Sequence, residues 1–275
     1  MKIKEDNFLK LLDKVVLVTG ANGQVGLSLI KKIIEFNGKV IATDINTSRI
    51  IKLKKKYNYS NKEILIIKAD IKNKKAVKRI FLEGKKEFKY INSLVCNAGV
   101  AVFEKFSQRT EKELDKVIDV NIKGTLFCIQ EFIKNYKKKN GEGTIVNIAS
   151  HYGLVSPDPK IYIDTNRNSS EIYGASKAAI IQITKYFAVH VANKNIRTNS
   201  VSPGGINDDK NELSNGALQK IKQGKGFRLE YSKKCPLNRL ANVDEVVNPI
   251  LYLLSPSSSY INGHNIVVDG GFTVW

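Results

Sequence analysis

An apolar run at residues 14–19, Lys-Val-Val-Leu-Val-Thr, gives way at once to Gly20-Ala-Asn-Gly-Gln-Val-Gly26 and then to a helical pattern over residues 24–36. A β-branched run without alternation is the pattern of a parallel strand buried on both faces. Glycine permits the tight turn and a close backbone approach, and the helix N-terminus behind it stabilises an anion. In the order strand, glycine turn, helix, spaced glycines point to the pyrophosphate of a dinucleotide rather than to a plain turn.

The same alternation continues along the chain. Strands are predicted at residues 39–44, 63–68, 91–96, 143–149, 196–201 and 265–268. Helices are predicted to about residue 57, at 72–87, from 110 into 121–138, and at 172–192 and 244–254. Strands and helices alternating at this spacing form right-handed βαβ units. The expected class is α/β, a doubly wound parallel sheet of about seven strands with helices on both faces. No Pro/Gly/Ser linker divides the 275 residues, so a single domain is expected. Two long irregular stretches, 151–171 and 204–234, follow strand carboxyl ends, where open α/β sheets bind ligands.

Asp44 ends the second predicted strand about 20 residues beyond the turn, the offset at which a carboxylate accepts hydrogen bonds from a dinucleotide ribose. A carboxylate there repels a 2′-phosphate, so NAD is favoured over NADP. The local alternative is a helix N-cap. Further on, Tyr173 and Lys177 stand one helical turn apart on one face. An ammonium beside a phenol lowers its pKa toward a range useful for proton transfer.

Composition removes several other functions. The chain carries 45 basic and 26 acidic residues, a formal +19. Its lysines are scattered in small groups without aromatic interleaving or a nucleic-acid motif, so solvated faces are expected and no nucleic-acid partner. Cys96, Cys128 and Cys235 form no CxxC pair, and the three histidines are dispersed, so no metal site is expected. No apolar run reaches the roughly 18 residues that span a bilayer, and no signal peptide is evident. The expectation is a cytoplasmic protein with no membrane partner.

With these residues placed, the chain resembles the short-chain dehydrogenase/reductase family over nearly its full length. Beyond the glycine turn, the resemblance rests on Ala69-Asp70-Ile71, Asn97-Ala98-Gly99, Asp119-Val-Asn121 and Val146-Asn-Ile-Ala-Ser150. It continues through Tyr173 and Lys177, Ser202-Pro203-Gly204 and Val268-Asp-Gly-Gly271. It implies a Rossmann fold and hydride transfer between NAD and a hydroxyl or ketone carbon. Tyr173 would be the general acid/base, Lys177 its partner, Ser150 a donor to the substrate oxygen and Asn121 the anchor of a proton-relay water. Cofactor contacts would fall to Gly20, Asn22, Gly23, Gln24, Val25 and Gly26 in the turn, and to Asp44 and Ile45 after the second strand. Asp70, Ile71, Asn97, Ala98 and Gly99 would follow, with Tyr173, Lys177, Pro203, Gly204 and Ile206 on the nicotinamide side.

Three departures stand out. The turn reads TGxxGxxG, with Gln24 where the short form of the family has glycine; that spacing resembles longer members acting on nucleotide sugars. Asp208 stands where a threonine usually follows the Pro-Gly pair. Ser150 and Tyr173 lie farther apart than is usual, and the polar connection between them is similar to insertions in oxidoreductases of bacterial surface-sugar and flagellin-modification pathways. His151, Asp158, Asn166 and Arg167 in that insertion are candidate contacts to a sugar or polyol. Lys210, Lys220, Lys222, Lys225 and Arg228 in the later loop could meet a phosphate.

The leading expectation is an NAD(H)-dependent oxidoreductase of a sugar, sugar derivative or polyol. The alternatives are an acyl-thioester ketone reductase and a non-catalytic, cofactor-sensing regulator on the same fold. The family packs its two long helices into dimers and tetramers, and the Phe272-Thr-Val-Trp275 end offers apolar side chains for an interface. A homotetramer is therefore expected, with a dimer as the fallback.

Overall fold

The computed structural model describes residues 9–163, 169–207 and 224–275. Seven strands form one parallel sheet: β1 (Val15–Thr19), β2 (Lys39–Asp44), β3 (Ile64–Lys68), β4 (Ser93–Cys96), β5 (Gly143–Ile148), β6 (Ile196–Pro203) and β7 (Asn265–Val268). Their order across the sheet is β3-β2-β1-β4-β5-β6-β7. All pairings are parallel, with Val18 set against Ala42 on one side and Val95 on the other. The order reverses between β1 and β4, the switch point beyond whose carboxyl ends open α/β sheets bind ligands.

The period of two along a strand divides the core between the two faces. Val16 and Val18 of β1 pack with Leu27, Ile30 and Ile33 of α1 (Gln24–Glu35) and Ile250 and Leu251. Val15 and Leu17 pack on the other face with Val77, Phe81, Ile129 and Phe132. The remaining helices are α2 (Ser48–Lys56), α3 (Lys74–Phe88), α4 (Glu111–Val117), α5 (Thr125–Asn135), α6 (Glu171–His190), α7 (Lys225–Lys234) and α8 (Val243–Leu254). Between α4 and α5 the backbone widens into a π-helical turn, Ile118–Gly124. Such turns concentrate at functional sites.

Two expected loops carry more structure than the sequence indicated. The insertion after β5 contains 3₁₀ turns at His151–Gly153 and Pro159–Ile161. Within the stretch read as irregular from 204 to 234, residues 225–234 form α7. That helix buries only Phe227 and Tyr231, one turn apart, among lysines and other polar side chains. Two apolar positions are too few for a helical period to stand out. Once folded, they pack with Ile161 of the insertion and Leu240, which ties the two loop regions together.

Candidate active site

The glycine turn is shaped by close contact with the segment that follows β4. Gly20 has φ +62°, and a Cβ there would stand 2.6 Å from the Ala98 Cα. The Asn97 side chain donates to the carbonyls of Thr19 (3.0 Å) and Gly20 (2.9 Å), while Thr19 Oγ1 accepts from the backbone N–H groups of Asn97 and Ala98. Gly26 is pressed equally hard, with a Cβ 2.6 Å from the Gly20 carbonyl oxygen. Gly23, by contrast, would meet only that oxygen, at 3.3 Å, and it is the N-cap of α1. No side chain caps this helix, and its first turn holds no acid. Its first N–H groups therefore suit a bound anion.

Asp44 is not a helix cap; Thr47 occupies the N-cap of α2. The Asp44 carboxylate accepts from the backbone N–H of Asn22 and of Asn46, each at 3.0 Å, which fixes it at the crevice edge. Asn22 in turn accepts from the N–H groups of Arg49 and Ile50, and the Arg49 guanidinium donates to the Asn22 carbonyl. Ile45 is exposed and Asp70 half-buried, whereas Ile71 is buried and would touch a Cβ on Gly124. A glycine-lined turn, an uncapped helix N-terminus and a fixed acid together fit a dinucleotide. Val25 lies partly buried against the core. The Gln24 amide donates 2.8 Å to the Asn207 carbonyl, bridging this turn to the segment after β6.

The expected catalytic residues come together at the carboxyl end of β5. Buried Ser150 follows that strand, and its Oγ accepts from the Tyr152 N–H at 3.2 Å. Tyr173 lies in the first turn of α6, where Ser170 caps the helix by accepting from the Tyr173 N–H at 3.3 Å. Desolvation raises the Tyr173 pKa, a hydrogen bond with Ser150 lowers it, and the neighbouring Tyr162 raises it again. Lys177 is buried, donates to the Ile148 carbonyl at 2.7 Å and lies 5.7 Å from the centre of the Tyr173 ring. Burial pulls its pKa down to about 8.

Burial outweighs the Ser150 hydrogen bond and leaves the Tyr173 pKa raised, while the Lys177 ammonium is held on the Ile148 carbonyl and is itself desolvated. The Asn121 side chain, placed in the π-helical turn, bridges the N–H and C=O of Val100 and donates to Ser176 Oγ at 2.9 Å. It ties the Val100 backbone to α6. A Cβ on Gly99 would lie 3.3 Å from Lys177 Nζ, so glycine is what admits the lysine here.

The insertion residues are placed differently from expectation. His151 is buried, with Nδ1 3.0 Å from the Pro203 carbonyl and its ring against Tyr152, Tyr231 and Phe272. Desolvation lowers its pKa to about 4, so it is a neutral interior group rather than a substrate-facing one. Asp158 caps the Pro159–Ile161 turn and pairs with Lys234 at 2.8 Å, joining the insertion to α7. Asn166, Arg167, Asp208, Lys210, Lys220 and Lys222 lie outside the described residues. Lys225 and Arg228 belong to α7.

Beyond Pro203, Gly204 donates to the Val268 carbonyl and Ile206 bridges to Ala241. Phe272 packs on Tyr231 of its own chain, leaving Val274 and Trp275 exposed. Tyr231 and Arg49 were missed in the sequence. Tyr231 sits in the overlooked helix, and Arg49 offered no signal beyond its place in a predicted helix. Among the described residues no helix is long and apolar enough to cross a membrane, and no group of three or more His, Cys, Asp or Glu side chains could hold a metal.

Comparison with known proteins gives a consistent result. A family model described as enoyl-(acyl carrier protein) reductase matches residues 20–273. The chain is 31% identical over 261 residues to an L-xylulose reductase of Caenorhabditis elegans, covering 95% of this chain and 96% of that one. It is 27% identical over 268 residues to the post-translational flagellin modification protein A of Campylobacter coli, covering 95% and 99%. A crystal structure of a short chain dehydrogenase from Leptospira borgpetersenii with bound NAD+ is 34% identical, with a TM-score of 0.86 over 100% of this chain and 98% of the other.

Proposed function

Because the chain belongs to the short-chain dehydrogenase/reductase family, we propose that it is an NAD(H)-dependent oxidoreductase of a sugar, sugar derivative or polyol. The observation that carries this reading is the convergence of buried Ser150, at the end of β5, with Tyr173 and Lys177 of α6, the Lys177 Nζ 5.7 Å from the centre of the Tyr173 ring.

When bound, NAD(H) supplies or removes the hydride at the substrate carbon. Tyr173, whose phenol is held protonated by burial, donates its proton to the substrate oxygen during reduction and takes one back during oxidation. Ser150 Oγ–H donates to the same oxygen and stabilises the charge that develops there. The Lys177 ammonium, fixed by Ile148, stabilises the phenolate that Tyr173 becomes. Gly20, Gly23, Gly26 and the N-terminus of α1 would hold the pyrophosphate, and Asp44 the ribose hydroxyls.

The L-xylulose reductase and flagellin-modification relatives support a polar, sugar-like substrate. Arg49, whose guanidinium lies on the Asn22 carbonyl, is the feature that favours the rival reading, an NADP-dependent acyl-thioester reductase. Asp44 opposes it. We read the chain as a single cytoplasmic domain forming a homotetramer, with a dimer as the fallback. Exposed Tyr186 and Val189 on α6 and Val274 and Trp275 at the end of the chain support an interface between copies. Light scattering on the eluted protein tests this.

The function is tested by thermal shift and NADH fluorescence with both nucleotides, followed by turnover on pentuloses, polyols and a 3-oxoacyl thioester. A ligand at a hundredfold its Kd stabilises a fold by about 2.7 kcal/mol. If neither nucleotide raises the melting temperature, the oxidoreductase reading fails.

A further inference from the structure

The backbone from Pro203 to Asn207 runs along the nicotinamide side of the proposed site, and two buried side chains, one from the insertion and one from α7, close a hydrogen-bond ring around its start. His151 Nδ1 stands 3.0 Å from the Pro203 carbonyl. A carbonyl only accepts, so Nδ1 carries the hydrogen and Nε2 presents its lone pair. On the other side, Tyr231 Oη accepts from the Gly205 N–H at 2.5 Å. Its own hydrogen is then available to His151 Nε2, 3.5 Å away. The resulting chain runs from Gly205 N–H through Tyr231 and His151 back to Pro203, two residues from where it began. Ser150 Oγ lies 3.5 Å from the same Nδ1.

The packing matches the hydrogen bonding. His151 is 3% exposed and Tyr231 2% exposed. A Cβ on Gly205 would stand 2.8 Å from the Tyr231 ring, and one on Gly204 would stand 2.9 Å from its hydroxyl. The Gly204-Gly205 pair therefore lets backbone lie directly on the tyrosine. Burial keeps His151 neutral, as its two partners require.

We propose that His151 and Tyr231 are a positioning pair that fixes the turn at residues 203–205 against Ser150, and so sets the nicotinamide side of the site relative to the donor on the substrate oxygen. This rests on the oxidoreductase reading. Neither side chain does chemistry; both act through the backbone they hold.

Tyr231→Phe, His151→Phe and His151→Asn test the proposal, each measured for NADH affinity by fluorescence, for kcat and KM, and for melting temperature. Leaving a buried N–H or C=O unpaired in this turn should weaken NADH by about tenfold in Tyr231→Phe and His151→Phe. kcat should fall with it, while KM for the carbonyl substrate stays within about twofold. His151→Asn, whose amide can still donate to Pro203, should recover most of the NADH affinity. The double replacement His151→Phe/Tyr231→Phe should be no worse than either single one, because the two act as a unit.

Variants that lose only melting temperature, with NADH affinity and kcat intact, would reduce the pair to core packing and overturn the proposal. A readout independent of turnover is the ¹⁵N spectrum of the protein alone: a neutral Nδ1–H tautomer of His151 is expected, and an Nε2–H tautomer overturns the ring. Failure of the unaltered protein to bind NADH would defeat the oxidoreductase reading itself, an outcome distinct from the two above.

Discussion

Lys177 donates its ammonium to the carbonyl of Ile148 at 2.7 Å, a bond between a helix and a strand end 29 positions apart in the chain. It fixes the charge beneath the Tyr173 ring, and burial draws the Lys177 pKa down to about 8. A site that holds a desolvated cation in place gives up stability for function.

Lys177→Met should therefore stabilise the fold while abolishing turnover. The folded pKa of about 8 lies below the ordinary lysine value of 10.5, so the unfolded chain holds the proton more tightly. The full penalty is present below pH 8 and fades as pH rises from 8 to 10.5. Allowing for the lost bond to Ile148, relief of about 1–3 kcal/mol is expected, a rise of several degrees in melting temperature at pH 7. A lower melting temperature would contradict it.

The same ionisation shapes the rate. In the proposed mechanism the Lys177 charge, present below about pH 8 and lost above it, supports the phenolate that forms on Tyr173. kcat for reduction should be level to about pH 8 and fall as pH rises beyond it, approaching tenfold per pH unit. A level profile through pH 9.5 would remove Lys177 from this role.

Two glycines of the turn should respond in opposite ways. Gly20→Ala forces a Cβ to 2.6 Å from the Ala98 Cα at φ +62°, at a cost of about 2–4 kcal/mol in unfolding measurements. Gly23→Ala meets only the Gly20 carbonyl, at 3.3 Å, and should melt near the unaltered protein. Its methyl group would fill the crevice and weaken NADH by about tenfold. Equal melting losses in the two would show that the turn is packed differently.

Asp44→Asn keeps an acceptor for the Asn22 N–H and removes the charge. NADH should weaken by about tenfold and NADPH should gain, with Arg49 close by to meet a 2′-phosphate. An unchanged preference between the two nucleotides would mean that Asp44 does not read the ribose.

Where sequence and structure agree, the reason is local. β2 and β7 follow the predicted limits, and α1 begins at Gln24, because short apolar β-branched runs and a glycine turn mark where these elements begin and end. The motif residues Ser150, Tyr173, Lys177 and Asn121 lie together at the carboxyl end of the sheet. Long-range partners were not legible. His151 looks like a polar loop residue until Tyr231, 80 positions away, and Phe272 enclose it. Asp158 looks available for a sugar until α7 brings Lys234 to it. That helix shows no apolar period in the sequence, because only Phe227 and Tyr231 mark its buried face.

The most direct test of the central claim is hydride transfer by Tyr173→Phe, assayed beside the unaltered protein with NADH and a pentulose or other polyhydroxy ketone. The unaltered protein should turn over at least one such substrate. Removing one hydroxyl should lower kcat by about 10²–10⁴-fold, with NADH affinity within about twofold of its starting value. Undiminished turnover by Tyr173→Phe would contradict the assignment of the proton to this residue.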